Sequence, residues 1–408
     1  MIIRHNYLEQ LIQWKDEAII KVITGIRRCG KSTLLLQYKD WLQSQGILEK
    51  RIIYLNFEDL AHEDLCNYKN LYQYIMDKVA QNQKTYLLFD EIQRMQDFEK
   101  VVNSLSLQQN IDIYLTGSNA FILSGELATY LSGRYVEISI LPFSFAEYTE
   151  IAPSGDKEKL FANYLEFGGF PYVSAFAKDE DKSKISMYFE GIYNTILIKD
   201  IEERQNRKEK ENTRKVTDIA LLKNIAKFMA SSVGNPLSVK SITDYINSTG
   251  RKVSQNTIAD YLEVLTEAFV FYPVDRFDIQ GKQLLKSNPK YYMVDLGLRR
   301  FLVARKEYDL GFSVENIVYF ELLRRGYSIN IGKFGKQEVD FVCQNDNTFV
   351  YIQVTASMLE ETTFLREISP LKAIKDNYPK IILTLDKLTL GNYEGIEVIN
   401  ALDWLLKK

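Results

Sequence analysis

The chain has 408 residues and a formal net charge of −3, with 46% hydrophobic and 26% charged residues. Such usage is ordinary for folded proteins and excludes collagen, coiled coil and a largely disordered chain, while the length calls for a few compact units of roughly 100–200 residues each. The slight negative charge gives no global attraction for nucleic acid, so any DNA contact must come from a local patch.

The start, MIIRHNYLEQ, breaks its apolar run with charge at Arg4. Nothing later approaches the roughly 18 consecutive apolar residues of a membrane span. Neither a signal peptide nor a membrane partner is expected, and the location should be cytoplasmic. Cys29, Cys66 and Cys343 are far apart, and His5 and His62 supply no zinc spacing with them.

The first 140 or so residues alternate short β-branched or apolar runs with amphipathic stretches, which predicts strands at 18–24, 52–57, 86–89, 112–115 and 135–140. Buried strands separated by helices imply a mostly parallel sheet covered on both faces. From about Phe143 the pattern turns helical and aromatic, broken by a turn at Gly168-Gly169-Phe170-Pro171. The polar, mostly basic run 204–215 reads as a linker or solvated helix. Residues 216–275 read as three helices, the last capped by Ser254, and a strand at 269–273, the order of a winged helix. A helix at 314–325 and strands at 328–331, 339–343 and 348–355 predict a second, smaller α/β unit.

Gly25-Ile26-Arg27-Arg28-Cys29-Gly30-Lys31-Ser32 matches G-x-x-x-x-G-K-[ST], directly after the first strand and before a helix at 33–42. Gly25 and Gly30 let the backbone curl so that its N–H groups face phosphates, the helix N-terminus adds partial positive charge, and Lys31 a full one. Ser32 presents a hydroxyl to Mg²⁺, and Thr33 lies near the α-phosphate. Tyr86-Leu87-Leu88-Phe89-Asp90-Glu91 is an apolar strand ending in two carboxylates, Asp90 to orient Mg²⁺ or its waters and Glu91 to take a proton from the attacking water. Asn119 or Ser118, after the strand at 112–115, can sense the γ-phosphate or hold the water. Arg134 and Arg204 are candidates for a phosphate or transition-state contact or, equally, for structural ion pairs. Arg27 and Arg28 touch phosphate or point to solvent. Cys29 fits as a small residue in the turn.

Taken together, GIRRCGKST, YLLFDEIQRM, YLTGSNA, LSGRYVEISILPFSFAEY and FGGFP resemble the predicted bacterial and archaeal AAA+ ATPases that carry an uncharacterised C-terminal domain. The resemblance spans essentially the whole chain. It implies an α/β fold: a P-loop NTPase core of AAA+ type whose sensor strand lies between those of the two Walker motifs, a helical lid, a winged helix and a C-terminal domain like restriction-type nucleases. On this reading the core is 1–142, the lid and linker 143–210, the winged helix 211–275 and the nuclease-like domain 276–408.

Such a nuclease domain needs a helix acid, a hairpin acid and an acid-x-Lys pair. The candidates are Glu315 or Glu321, then Asp340, then Gln353-Val354-Thr355, where Gln and Thr stand for the acid and the lysine. Cleavage is therefore not expected. The presumed recognition helix carries Asp260, Glu263 and Glu267, while basic residues gather at Lys240, Arg251-Lys252 and between Lys282 and Lys290. The leading expectation is an ATPase, ATP and Mg²⁺ its cofactors, that works as a nucleotide-driven conformational switch on DNA or a protein partner, with a homo-oligomer open. The alternatives are a DNA-binding regulator that binds ATP without appreciable turnover and an ATP-gated nuclease.

Overall fold

The computed structural model describes residues 2–79, 83–118, 133–151, 155–176, 182–195, 218–303, 310–345 and 348–407. Its chain divides into two compact units, 1–142 with 267–269, and 143–266 with 270–408. Among the described residues no helix is long and apolar enough to cross a membrane.

In the first unit the elements run α1 (His5–Gln13), β1 (Ile20–Thr24), α2 (Lys31–Ser44), β2 (Ile52–Asn56), α3 (Tyr68–Met76), β3 (Thr85–Asp90), α4 (Phe98–Ser106), β4 (Ile111–Thr116) and β5 (Tyr135–Ser139). The strands form one sheet in the order β2-β3-β4-β1-β5, every pair parallel. Strand β4 thus separates the strands of the two phosphate-site motifs, as the resemblance implied. Every residue of β1, β3 and β4 is buried, which a strand shows when helices cover both faces.

One face buries Val22, Leu87, Phe89 and Leu115 against Leu71 and Ile75 of α3 and Val101, Val102 and Leu105 of α4; α2 packs against β3 and β4. Each of these apolar side chains contributes roughly 1.5–3 kcal/mol when fully buried. Within the sheet the ammonium of Lys21 meets Asp112 Oδ1 at 2.5 Å, both side chains fully buried. That pairing fixes β1 against β4, since a one-residue slip would strand both charges. Because all strands run the same way, the loops after β1, β3 and β4 emerge at one edge.

The second unit opens with α5 (Phe145–Ile151), α6 (Lys157–Phe167), α7 (Pro171–Phe176) and α8 (Lys182–Asn194). Between α6 and α7 the glycine turn closes on Asp295: Gly169 N–H donates to Asp295 Oδ2 at 2.6 Å, and a Cβ on Gly168, whose φ is +74°, would lie 2.2 Å from Oδ1. The other carboxylate oxygen accepts from Leu298 N–H at 2.9 Å. One buried acid therefore serves the backbone N–H groups at the starts of two helices, α7 and the later helix beginning at Leu296.

Three helices follow, α9 (Ile219–Ser231), α10 (Val239–Ser248) and α11 (Gln255–Glu267), capped by Asp218, Ser238 and Ser254 in turn. The hairpin β6 (Phe271–Asp278) and β7 (Gln283–Met293) leads to α12 (Leu296–Leu302), α13 (Leu310–Arg324), β8 (Ser328–Phe334), β9 (Gln337–Asn345) and β10 (Thr348–Thr355). Then come α14 (Glu361–Ala373), β11 (Lys380–Thr384), β12 (Gly391–Tyr393), β13 (Ile396–Asn400) and α15 (Ala401–Leu406). All eight strands make one mixed sheet in the order β12-β13-β11-β10-β9-β8-β6-β7. The strand expected to close the three-helix stretch is thus longer than its apolar run and pairs in parallel with β8 from Arg276 to Asp278.

Candidate nucleotide site

The turn from β1 into α2 owes its shape to its glycines. Gly25 has φ +139°, and a Cβ there would lie 2.1 Å from Ile140 O; Gly30, at φ +104°, precedes the first residue of α2 in a left-handed conformation. Both requirements favour glycine. Ile26 and Cys29 turn inward and are fully buried, and burial pushes the Cys29 thiol up from its ordinary pKa. Arg27 is half-buried, Arg28 is exposed, and Ser32 and Thr33 stand half-buried in the first turn of α2. The Lys31 ammonium, 4% exposed, donates to Gly25 O at 2.9 Å and Ile26 O at 3.2 Å, so it lies under the loop it follows.

Asp90 ends β3 fully buried, and its carboxylate accepts from three hydroxyls: Ser32 at 3.1 Å, Thr116 at 2.6 Å and Tyr54 at 3.1 Å. Burial pushes its pKa up, opposed by the Thr116 and Ser32 hydrogen bonds. Glu91 follows with φ +53°, a left-handed backbone that non-glycine residues rarely adopt. Its N–H donates to Thr116 Oγ1 at 2.8 Å, which supports that conformation. Oε1 accepts from Ser118 Oγ at 2.6 Å, and Oε2 accepts from Gln93 Nε2. Burial pushes the Glu91 carboxyl up, but the Lys31 charge and the hydrogen bonds from Ser118 and Gln93 outweigh it, and the net shift is downward. The group is held ionised near neutral pH.

The sheet edge therefore brings together Lys31, Ser32, Asp90, Glu91 and Ser118. Arg134 is not among them: it precedes β5, where Tyr135 stands beside Ile20, the first residue of β1. At about 3.3 Å per residue it lies roughly 15 Å from the loop, at the opposite edge of the sheet. There it is exposed, its Nη1 3.5 Å from Asn103 Oδ1. Asn119 and Arg204 lie outside the described residues. Two contributors were not foreseen, Tyr54 on β2 and Gln93 after β3. The signal for Tyr54 was register, since Asn56 pairs with Asp90 and so places Tyr54 beside the carboxylate; Gln93 is brought back to Glu91 by the left-handed turn after β3.

A second polar cluster lies in the second unit. Lys290 on β7, 3% exposed, meets Glu338 at 2.8 Å, Glu315 at 3.0 Å and Asp340 at 3.9 Å. Tyr292 OH donates to Glu315 at 2.6 Å, and Gln353 bridges Asp340 N–H at 3.2 Å to Glu367 at 2.8 Å. Burial lowers the Lys290 pKa, but Glu315, Asp340 and Glu338 more than restore it, and the net shift is upward. Lys290, one of the basic residues gathered between Lys282 and Lys290 in the sequence, is a buried partner of Glu315 and Asp340, two of the acids singled out there. Glu321 instead pairs with Arg325 at 2.9 Å. Among the described residues no group of three or more His, Cys, Asp or Glu side chains is placed to hold a metal.

The family model described as an AAA domain matches residues 17–149, and one described as a domain of unknown function (DUF8612) matches 158–309. An uncharacterized protein of Haemophilus influenzae is 43% identical over 412 residues, covering 100% of this chain and 99% of its own. The uncharacterized protein MJ1544 of Methanocaldococcus jannaschii is 31% identical, covering 94% of this chain and 85% of its own. Among solved structures, a Walker-type ATPase of Pyrococcus abyssi aligns with a TM-score of 0.50 at 15% identity, covering 74% of this chain and 96% of its own. At that identity the likeness speaks for fold alone. The fold is mixed α/β, with the five-stranded parallel sheet of a P-loop AAA core, the fold of nucleotide-binding ATPases.

Proposed function

The chain belongs to the family of its Haemophilus influenzae and Methanocaldococcus jannaschii relatives and carries an AAA domain, and on that footing we propose that it is a cytoplasmic, Mg²⁺-dependent ATPase, a nucleotide-driven conformational switch acting on DNA or a protein partner. The observation that carries this is the single sheet edge on which Lys31, Ser32, Asp90 and Glu91 meet, with Ser32 Oγ 3.1 Å from Asp90 Oδ1.

The residues present fit the cofactors. Gly25 at φ +139° and Gly30 at φ +104° give the loop the curl that turns backbone N–H groups toward a phosphate. The hydroxyl of Ser32 and the carboxylate of Asp90 are the hard oxygen donors Mg²⁺ prefers, and both would hold it. Bound there, the ion supplies charge neutralisation at the β- and γ-phosphates. Lys31 exchanges the Gly25 and Ile26 carbonyls for phosphate oxygens. Glu91, ionised, accepts a proton from water. Gln93 orients that carboxylate, and its own Oε1 is buried without a hydrogen-bond partner, an acceptor that water near Glu91 would satisfy. Ser118 and, after it, Asn119 serve the γ-phosphate or that water.

Titration of the full chain with ATP and Mg²⁺ in a calorimeter, with phosphate release measured alongside, tests the proposal. No uptake of triphosphate would end it. A second reading, a DNA-binding regulator that holds ATP without appreciable turnover, draws on Glu91 itself, both of whose oxygens are engaged. It prevails if the wild type binds ATP yet releases phosphate no faster than Glu91→Gln. An ATP-gated nuclease has least support, because Glu315 and Asp340 are already engaged by the Lys290 ammonium. Nicking of supercoiled DNA with Mg²⁺ and ATP would reinstate it.

A further inference from the structure

Arg4 is the charge that interrupts the apolar start of the chain. Its side chain is 3% exposed, and its Nη1 donates to two carbonyls, Cys29 O at 3.2 Å and Leu141 O at 2.8 Å. The guanidinium carbon lies 4.5 Å from the centre of the Tyr7 ring, a cation-over-ring contact. The Tyr7 hydroxyl in turn accepts from Leu141 N–H at 3.3 Å. Cys29 belongs to the phosphate loop. Leu141 is followed by Pro142, where the first unit's long stretch of chain ends.

A second set of contacts reaches the same short segment from the loop's other end. Gly25 leaves space for Ile140 O, which a Cβ would approach to 2.1 Å, and Ile140 N–H donates to Thr24 O at 2.8 Å. The backbone at 140–141 is therefore tied to both ends of the phosphate loop, at Thr24 by a backbone hydrogen bond, with Gly25 packed closely beside Ile140 O, and at Cys29 through one buried cation. A guanidinium stays charged at any working pH and holds its donors in a rigid plane. If the Cys29 carbonyl turns when the loop closes on phosphate, Arg4 must follow it or lose a charge-assisted hydrogen bond away from water, and following it displaces Leu141.

We propose that Arg4 is a positioning residue that couples the phosphate loop to the 140–141 backbone, so that nucleotide occupancy is felt where the chain leaves the first unit. This rests on the nucleotide-binding reading. The contact is physical and continuous, one side chain touching both segments, which is the kind of link a coupling claim requires.

Amide hydrogen exchange at Leu141, followed in the full chain with and without ATP and Mg²⁺, reads the coupling directly, because that N–H is held by Tyr7. In the wild type, saturating ATP should change the Leu141 exchange rate about tenfold, the scale of ordinary coupling between sites. Arg4→Ala should abolish this response and weaken ATP binding by about tenfold. Arg4→Met keeps the length of the side chain but deletes the donors to Cys29 O and Leu141 O, so it should bind ATP and lose most of the response; it carries the test if the alanine variant does not fold. A wild type that binds ATP with no change at Leu141, or an Arg4→Met protein with the full response, overturns the coupling. A wild type that takes up no ATP in the calorimeter overturns the nucleotide reading and the coupling with it, and is recognised before any variant is made.

Discussion

The hydroxyl of Ser32 donates to Asp90 Oδ1 across 3.1 Å, so the first turn of α2 and the tip of β3 are joined by a side-chain hydrogen bond. The two oxygens proposed for Mg²⁺ are neighbours through the fold itself, and little conformational entropy remains to be lost when the ion binds.

Lys31→Ala removes the ammonium that lies under the loop and should weaken ATP binding by about a hundredfold or more, the value of one or two charge-assisted hydrogen bonds. Glu91→Gln should bind ATP within about threefold of the wild type but hydrolyse it roughly 10²–10⁴-fold more slowly, the usual contribution of a general base. Calorimetry and single-turnover phosphate release separate the two effects. Normal turnover in the Gln variant removes Glu91 from its assigned role.

Arg134 stands exposed at the sheet edge away from Lys31 and can meet a γ-phosphate only in a neighbouring copy. If it does, wild-type turnover per chain should rise with protein concentration, and Arg134→Ala should lower the plateau by about 10³-fold, as loss of an arginine contact does in phosphoryl transfer, without changing ATP affinity. Turnover independent of concentration and insensitive to the substitution assigns Arg134 to its structural contact with Asn103.

Lys290→Met keeps the volume and deletes the cation, leaving Glu315, Glu338 and Asp340 facing one another. Breaking a buried ion pair from one side costs about 3–5 kcal/mol, and the urea midpoint should fall accordingly. Because burial and the Glu315 charge already push the Asp340 pKa well up, acid should restore part of the loss. A variant as stable as the wild type at neutral pH would show that the acids do not need their ammonium.

Burial pushes the Asp295 carboxyl up to about 6, while the N–H groups of Leu298, Gly169, Gly297 and Phe170 oppose the shift. The folded value exceeds the ordinary 3.8, so the folded state binds the proton more tightly. Its contribution is complete below about pH 4 and disappears as pH rises through about 6, on the order of 3 kcal/mol in all. Asp295→Asn, which cannot titrate, should be destabilised by about 1–3 kcal/mol through its mismatched amide. Between pH 8 and pH 5 the wild type should gain urea resistance relative to this variant. Parallel pH profiles for the two proteins would contradict the assignment.

What could be read from sequence was local. The strands at β1 to β5 announce themselves as short β-branched or apolar runs, and the phosphate loop as a glycine pattern between strand and helix, because those signals arise within ten residues. The position of Arg134 was not readable, since it follows from β5 running parallel to β1 rather than from its neighbours Gly133 and Tyr135. Lys290 was unreadable for the opposite reason: nothing beside it in the sequence shows that Glu315 on α13 and Glu338 and Asp340 on β9 gather around it. Tyr54 and Gln93 belong to the same class, ordinary residues given a site only by register and a left-handed turn.

The hairpin β6–β7 has a practical bearing on how the chain can be cut. A fragment beginning at 276 would discard Phe271, Tyr272, Pro273 and Val274, the ladder partners of Met293, Tyr292, Tyr291 and Lys290. The far half of β7 would then present bare backbone to solvent, a template for joining other chains, and the lysine that gathers the acids would lose its support. Pieces intended for crystallisation or binding assays should start upstream of β6, ahead of the helices that precede it.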